Sequence, residues 1–300
     1  LLKQEPRNLD AVLLFAEVAA AGGNPELAER NYRRAVELGA DARGFWRPWV
    51  DVLISLRRYE DAIARLDASA TSDVPAERAT ALLRRARALR GLGRPADAET
   101  VLRDAAQLAP ADAAIHVELA GLLLVAGRES EALAAVEAAL AADPANPDAL
   151  LLRATRTLAG PEPASAAPEL EAVLAAATER RNDPARAAAL GYLAEIDLAA
   201  GRVDVAATRV DALGAITGPV PEVRYLRARV AMERGEVPRA KEELQEALAA
   251  DKGYLPARRL LGAIQVLENQ FELAEMNLKP VVAANPEDFF ARRLLATVFL

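Results

Sequence analysis

Small and large apolar residues recur along the chain at a fixed spacing. A small residue is followed twelve positions later by a second small residue, and four positions after that by a large apolar one. The first small residue lies at Ala16, Val50, Ala86, Ala120, Ala154, Ala194, Ala228, Gly262 and Ala296, in steps of 34, 36, 34, 34, 40, 34, 34 and 34 residues. A period of this length predicts an array of stacked units, here eight complete units and a half unit.

Each predicted unit consists of two helices. In the seventh unit, apolar residues at helical spacing run from Pro221 to Glu233, Gly235 ends this helix, and a second helix covers Pro238 to Ala250. Glycine or asparagine is expected where a helix ends in the left-handed region. The turn position is occupied in the other units by Gly23, Arg57, Gly93, Gly127, Gly201 and Asn269, and the second helix is closed by Pro110, Pro144 and Pro286 in three units.

The paired small residues have a mechanical explanation. Two antiparallel helices approach closely only where the side chains at their crossing are small, and the large residue fills the neighbouring hole. The second small residue lies at Ala28, Ala62, Ala98, Ala132, Ala166, Ala206, Ala240 and Ala274. One helix pair buries too little surface for a core, so neighbouring pairs must stack. The fold class is therefore predicted to be all-α.

This arrangement resembles the tetratricopeptide repeat family. The second unit carries Trp46, Trp49, Val50, Leu53, Tyr59, Ala62 and Leu66, and the eighth carries Leu261, Gly262, Phe271, Ala274, Leu278, Val281 and Pro286, at the family's positions. The resemblance implies one right-handed α-solenoid over residues 1–300 with a terminal half-repeat at 288–300. It also implies a protein-interaction scaffold that binds peptides in a concave groove. The run from Gly160 to Pro163 and the 40-residue step predict a longer loop or a bend at 160–186.

The last hundred residues also look like the bacterial envelope repeat lipoproteins associated with exopolysaccharide and PEP-CTERM sorting systems. Three segments carry this resemblance, from Tyr254 to Ala263, from Asn285 to Asp288 and from Ala291 to Ala296. It implies a periplasmic or outer-membrane-anchored location in preference to the cytoplasm. Because the chain begins without Met and ends at Leu300 inside an apolar run, we expect a larger parent protein.

The amino-acid composition limits the kinds of catalytic, metal and nucleic-acid sites that the chain can form. About 70 residues are alanine, none is cysteine and one is histidine, so thiolate nucleophiles, cysteine-ligated zinc and two-histidine metal sites are excluded. The formal net charge of -7 argues against a nucleic-acid partner. The longest apolar runs are too short to span a membrane. We expect no catalytic residues, no metal site and no cofactor.

Two sets of candidate ligand residues follow from the family's groove positions on the first helix of each unit. The N-terminal set is Arg47, Asp51, Arg87 and Arg90, and the C-terminal set is Tyr192, Glu195, Tyr225, Arg229, Arg259 and Arg293. Arginine beside tyrosine suits carboxylates, a peptide backbone or an extended segment. The alternative is that these arginines pair with acidic residues on adjacent helices or simply face solvent.

The remaining candidate features have structural interpretations. His116 is predicted to be a packed structural histidine, and Trp46 and Trp49 are predicted to be core anchors. The run from Gly91 to Ala96 imitates a dinucleotide-binding fingerprint but follows no strand, so we reject a phosphate site there. The arginine-rich stretch from Arg78 to Arg94 could meet an acidic partner or an anionic polysaccharide, but a solvated face is the simpler interpretation.

Three hypotheses for function follow. The leading one is a non-enzymatic scaffold that binds a protein segment or partner subunit in its groove, in bacterial exopolysaccharide export or assembly. A second is the substrate-selecting arm of a larger enzyme, such as a glycosyltransferase. A third is an architectural spacer or homo-oligomer whose groove is filled by its own terminal helix, because the half unit from Asp288 to Leu300 would leave an apolar helix uncovered.

Overall fold

Every regular element in the described part of the chain is helical. The computed structural model describes residues 7–69 and 72–299, and seventeen α-helices lie within these ranges. The chain forms two compact units, of which the first ends at Leu152 and the second begins at Arg153. The predicted all-α class is confirmed, and each unit is described separately below.

The N-terminal unit contains four complete antiparallel helix pairs. Each second helix packs against its own first helix, and α2, α4 and α6 also pack against the first helix of the following repeat. The helices are α1 (Leu9–Ala21), α2 (Pro25–Glu37), α3 (Trp46–Ser55), α4 (Tyr59–Ser69), α5 (Pro75–Gly91), α6 (Pro95–Leu108), α7 (Ala113–Val125) and α8 (Glu129–Ala142), and a short 3-10 helix (Ala42–Gly44) precedes α3.

The boundary between the two units falls within α9 (Pro147–Leu158). The C-terminal unit continues with α10 (Ala167–Glu179), α11 (Asp183–Ala199), α12 (Val203–Thr217), α13 (Pro221–Glu233), α14 (Val237–Ala250), α15 (Leu255–Leu267), α16 (Phe271–Ala284) and α17 (Phe289–Val298). Helix α17 packs against both α15 and α16 and is the half-repeat of this register.

The packing register predicted from the sequence is confirmed. The first small residue is buried in all eight complete repeats, and its partner twelve positions later is fully buried in each. The large residue that follows is also buried, at Tyr32, Leu66, Leu102, Val136, Leu170, Val210, Leu244 and Leu278. Gly262 shows how close the helices are, because a Cβ added there would lie 2.7 Å from Leu278 Cγ.

The predicted turns are confirmed as well. All five predicted glycines and both Arg57 and Asn269 have positive φ, with φ of 57° at Arg57 and 58° at Asn269. At Arg57 the next amide, that of Arg58, donates to the Leu53 carbonyl at 2.9 Å, which closes the end of α3. Arg181 adopts φ of 54° at the end of α10 and was missed, because no glycine or asparagine marks it.

Residues 160–186 are mostly helical. A turn at residues 159–162 leads into a 3-10 helix (Pro163–Ala166) and directly into α10. Helix α11 is 17 residues long, compared with 13 for α1, α7, α13 and α15, and begins after the turn at Arg181. The additional residues of the 40-residue step therefore lie at the end of α10 and the start of α11.

Two buried acids tie helices together. Glu29 on α2 forms ion pairs with Arg33 at 2.7 Å and with Arg58, in the next repeat, at 3.0 Å. Asp197 on α11 lies 2.7 Å from Arg202 and 2.6 Å from Arg209 on α12. Burial of a carboxylate requires such compensation. Sequence reasoning missed both acids.

Candidate functional site

The first helices of successive repeats lie side by side. Helix α3 packs against α5 in the N-terminal unit, and the pairs α11 with α13 and α15 with α17 do so in the C-terminal unit. We call the surface formed by these first helices within a unit its helix-A face. All ten predicted ligand residues lie on first helices.

The N-terminal set is held in ion pairs between neighbouring helices. Arg47 lies 2.9 Å from Glu77 on α5, and Asp51 accepts two hydrogen bonds from Arg84, of 2.9 and 2.8 Å. Arg87 and Arg90 both reach Glu118 on α7, at 3.1 and 2.7 Å. The charges of this set are therefore largely compensated within the unit.

The arginine-rich stretch of α5 is compensated in the same way. Arg84 pairs with Asp51, Arg85 pairs with Asp67 on α4, and Arg94 lies 2.7 Å from Asp97. The charges of these three arginines are therefore compensated by nearby carboxylates within the unit.

The C-terminal set combines arginine with tyrosine on α11 and α13. Tyr192 is 40% exposed, and Arg229 pairs with Glu195 from the adjacent first helix. The Arg229 guanidinium lies 6.0 Å from the centre of the Tyr225 ring. Burial raises the pKa of Tyr225, and the positive charge of Arg259 opposes this shift. Burial also lowers the pKa of Arg229, which Glu233 opposes and Arg259 reinforces.

Arg259 and Arg293 flank one aromatic ring. Their guanidinium groups lie 5.3 and 5.9 Å from the centre of the Phe290 ring. Arg259 lies 3.4 Å from Asp288, whose other oxygen accepts the Ala291 amide at the start of α17. Arg293 forms no ion pair with any residue in the described ranges. This end of the helix-A face thus carries a cation without a carboxylate partner.

Sequence reasoning missed two aromatic residues of this site. Phe290 occupies the second position of the half-repeat, which is itself a groove position of the family, so the register could have identified it. Tyr254 precedes α15 and contacts Tyr225 edge to face, with ring centres 6.1 Å apart. Burial, followed by the charge of Glu222, raises the pKa of Tyr254 to about 12.

The two tryptophans and the histidine have structural roles. Trp49 stacks with Tyr32 and Phe45, and both Trp46 and Trp49 are buried, which confirms the core prediction. His116 is half-buried, and its Nε2 donates to the Pro110 carbonyl at 2.8 Å. The run Gly91 to Ala96 forms the turn between α5 and α6.

No helix in the described ranges is both long and apolar enough to cross a membrane. Within the same residues, no group of three or more histidine and carboxylate side chains is placed to hold a metal ion.

Comparison with known proteins relates this architecture to a family. Two models described as "Tetratricopeptide repeat" match residues 48–113 and 89–155. A stretch of 136 residues, 43% of the chain, is 32% identical to "Cellulose synthase operon protein C" of Xanthomonas axonopodis pv. citri (strain 306) and covers 9% of that protein.

Solved structures share the fold at low sequence identity. The chain superposes on the structure of the "APC/C hetero-tetramer Cut9-Hcn1" with a TM-score of 0.71 and 11% identity, over 98% of this chain and 56% of that one. Pseudomonas aeruginosa pilF gives a TM-score of 0.60 and 16% identity, over 74% of this chain and 98% of that one. The two family models together match residues 48–155, so this part of the chain is similar to tetratricopeptide repeats, and the same register of helix pairs recurs in both units.

Proposed function

We propose that this chain is a non-catalytic scaffold that holds an extended segment of a partner protein on the helix-A face of its C-terminal unit. Tetratricopeptide repeats are protein-interaction scaffolds, and the partner and its place of binding are our proposal. The observation that carries it is Arg293, which packs on Phe290 beside Arg259 and has no carboxylate partner in the described residues.

The geometry suits an acceptor-rich segment. Arg229, Arg259 and Arg293 lie on three successive first helices. Two carboxylates lie close to them, because Glu195 pairs with Arg229 and Asp288 pairs with Arg259. Guanidinium groups held against aromatic rings lose little freedom when they donate to a carboxylate or a backbone carbonyl. Binding to such a prearranged surface costs little ordering of the receptor.

The N-terminal set offers weaker support for ligand binding. A ligand there would have to displace Glu77 from Arg47, or Glu118 from Arg87 and Arg90. A binding role for Arg47, Asp51, Arg87 and Arg90 therefore stays a prediction.

We place the scaffold in a bacterial exopolysaccharide export or assembly system. The support is the relative whose name refers to a cellulose synthase operon, which is 32% identical over 136 residues. The aligned part is 9% of that relative. The compartment and the partner subunit are therefore inferred from the similarity of this part alone.

The test is site-specific cross-linking in the native cells. A photo-reactive residue replaces Tyr225, and a matched control replaces Arg239, which is exposed on the second helix α14. We expect a protein adduct at Tyr225 that is absent at Arg239 and is lost when Arg259→Glu and Arg293→Glu are added. Arg239→Glu supplies the same charge reversal away from the site.

The alternatives give different results. Equal adducts at both positions, or an adduct that survives the two reversals, would contradict the proposed site. A labelled polysaccharide instead of a protein would favour the arm of a larger enzyme. If exopolysaccharide secretion is unchanged in cells that lack the chain, the export role is wrong while the protein-binding role stands.

A further inference from the structure

The outer surface of α16 carries an exposed apolar stripe in a register that is polar on α6 and on α14. Leu273 and Met276 are 46% and 60% exposed, and Pro280 is also exposed, so the stripe follows the i, i+3, i+7 spacing of one helix face. These residues lie one position before, two after and six after the small residue Ala274. The same register holds Asp97, Thr100 and Asp104 on α6, and Arg239, Glu242 and Glu246 on α14.

Exposure of this register is a property of the repeat. On α6 and on α14, each of which is followed by another complete repeat, all three residues are exposed. The stripe on α16 therefore faces solvent for the same geometric reason, whatever packs beyond α17. Pro280 lies inside α16, where a proline removes one backbone hydrogen bond. A proline in a helix interior destabilises the helix by about 3 kcal/mol relative to alanine.

The charges beside the stripe are arranged with opposite signs along the helix. Glu272 lies towards the start of α16 and Lys279 towards its end, on the same edge of the stripe. Lys279 pairs with Glu275 at 2.5 Å, whereas Glu272 has no cationic partner among the described residues. Along a helix with a rise of about 1.5 Å per residue, Glu272 and Lys279 lie roughly 6 and 4.5 Å on either side of Met276.

We propose that α16 is a self-association surface that pairs antiparallel with α16 of a second copy of this chain, about a two-fold axis at Met276. A two-fold axis perpendicular to both helices brings the same edges together with opposite direction. Glu272 then faces Lys279 of the second copy, Leu273 faces Pro280, and Met276 meets its own equivalent. Both the apolar and the charged edges are complementary in this one arrangement.

The pairing is weak because one helix supplies most of the surface. Stable protein interfaces bury about 1,200–2,000 Å² in total, more than a single helix face provides. We expect a dissociation constant on the order of 10 µM. This surface lies on second helices, so a dimer formed through it leaves the helix-A face available.

Sedimentation over a concentration series tests the association, with circular dichroism to confirm folding of each variant. The native chain is expected to dimerise, and Met276→Glu to weaken the dimer at least tenfold. Lys279→Glu alone is expected to weaken it roughly fivefold, because symmetry applies each charge change twice. The swapped variant Glu272→Lys with Lys279→Glu is expected to recover the native constant.

Cross-linking tests the geometry, because the chain contains no cysteine. Under mild oxidation Met276→Cys is expected to form a disulfide-linked dimer, and Glu242→Cys, one repeat earlier in the same register, is expected to remain monomeric. A native chain that stays monomeric up to about 100 µM, or a dimer insensitive to both Met276→Glu and Lys279→Glu, would overturn the proposal. Equal cross-linking of the two cysteine variants would also overturn it.

Discussion

Arg128 Nη1 lies 2.8 Å from each carboxylate oxygen of Glu99, and this contact ties the second helix of one repeat to the second helix of the next. Arg103 lies 2.8 Å from Glu99 and 3.0 Å from Glu131, which completes a four-residue network. Glu29 and Arg58 make the same contact in the same register two repeats earlier. The N-terminal unit thus repeats one ion-pair connection between its second helices.

This network predicts a pH dependence of stability. Hydrogen bonds from Arg103 and then Arg128 hold the pKa of Glu99 below its ordinary value. Because the folded-state pKa is lowered, the stabilisation is present above the ordinary Glu pKa of about 4.3 and is lost as pH falls through the folded value. Glu99→Gln is expected to lower the free energy of unfolding at pH 7 by about 1 kcal/mol and to flatten the acid dependence.

Urea unfolding between pH 3 and pH 7 measures this effect. Glu137→Gln on α8 is the control, because Glu137 is exposed and forms no ion pair within the described ranges. Identical acid profiles for native protein and Glu99→Gln would show that the network does not contribute.

Close helix packing predicts that alanine substitution has opposite effects on the free energy of unfolding at two helical glycines. At Gly262 an added Cβ would lie 2.7 and 2.8 Å from two Leu278 carbons, whereas at Gly121 on α7 nothing lies within 4 Å. Alanine gains about 1 kcal/mol over glycine inside a helix, but overpacking costs about 1–3 kcal/mol. Gly121→Ala is expected to raise the free energy of unfolding by about 1 kcal/mol, and Gly262→Ala to lower it by a similar amount. Chemical denaturation followed by circular dichroism distinguishes them, and stabilisation by both would contradict the close approach.

The repeat register made most of the fold predictable. Ala16 and Ala28, and their equivalents, identify each helix crossing because only a small side chain fits there, and this constraint is local and recurs. Arg181 was not predictable, because its left-handed conformation follows from where α10 and α11 end rather than from its residue type. The buried Asp197 was also missed, since its partners Arg202 and Arg209 are specific to one repeat.

The candidate site was predictable only in part. The register placed Tyr225, Arg229, Arg259 and Arg293 on first helices, but their partners depend on side-chain directions that spacing does not determine. Arg47 illustrates this limit, because Glu77 pairs with it from the extended start of α5. The same spacing therefore places a compensated arginine in one unit and, in the other, Arg293, which has no ion pair among the described residues.

Left-handed turns predict a reciprocal pair of substitutions. Arg57 and Gly93 occupy the same turn position, with φ of 57° and 71°, and a Cβ at Gly93 would meet nothing within 4 Å. A side chain in this region costs about 1 kcal/mol relative to glycine. Arg57→Gly is expected to raise the free energy of unfolding by about 1 kcal/mol, and Gly93→Arg to lower it by about as much. If thermal or urea unfolding shows both variants shifting in the same direction, backbone strain is not the deciding factor.

The buried hydroxyl of Tyr32 predicts a loss of stability at high pH. Tyr32 is fully buried and its hydroxyl has no hydrogen-bond partner among the described residues. Burial, reinforced by Glu17 and Asp51, raises its pKa to about 12. Because the folded state holds the proton more tightly than the unfolded chain, its contribution is intact below the ordinary pKa of about 10 and is lost as pH rises from there towards the folded value.

Tyr32→Phe removes this titration and the unsatisfied hydroxyl together. At pH 7 the variant is expected to be more stable by about 1 kcal/mol, because an unpaired buried polar group is costly. Between pH 10 and 12 the free energy of unfolding of the variant is expected to fall by about 2 kcal/mol less than that of the native chain.

Tryptophan fluorescence measures this difference. Trp46 and Trp49, the only tryptophans, lie in this part of the N-terminal unit, so their fluorescence follows the relevant unfolding. Tyr254, whose pKa is also raised to about 12, lies in the C-terminal unit and is common to both proteins. Parallel curves for the two proteins across this range would show that Tyr32 ionises as readily in the folded chain as in the unfolded one.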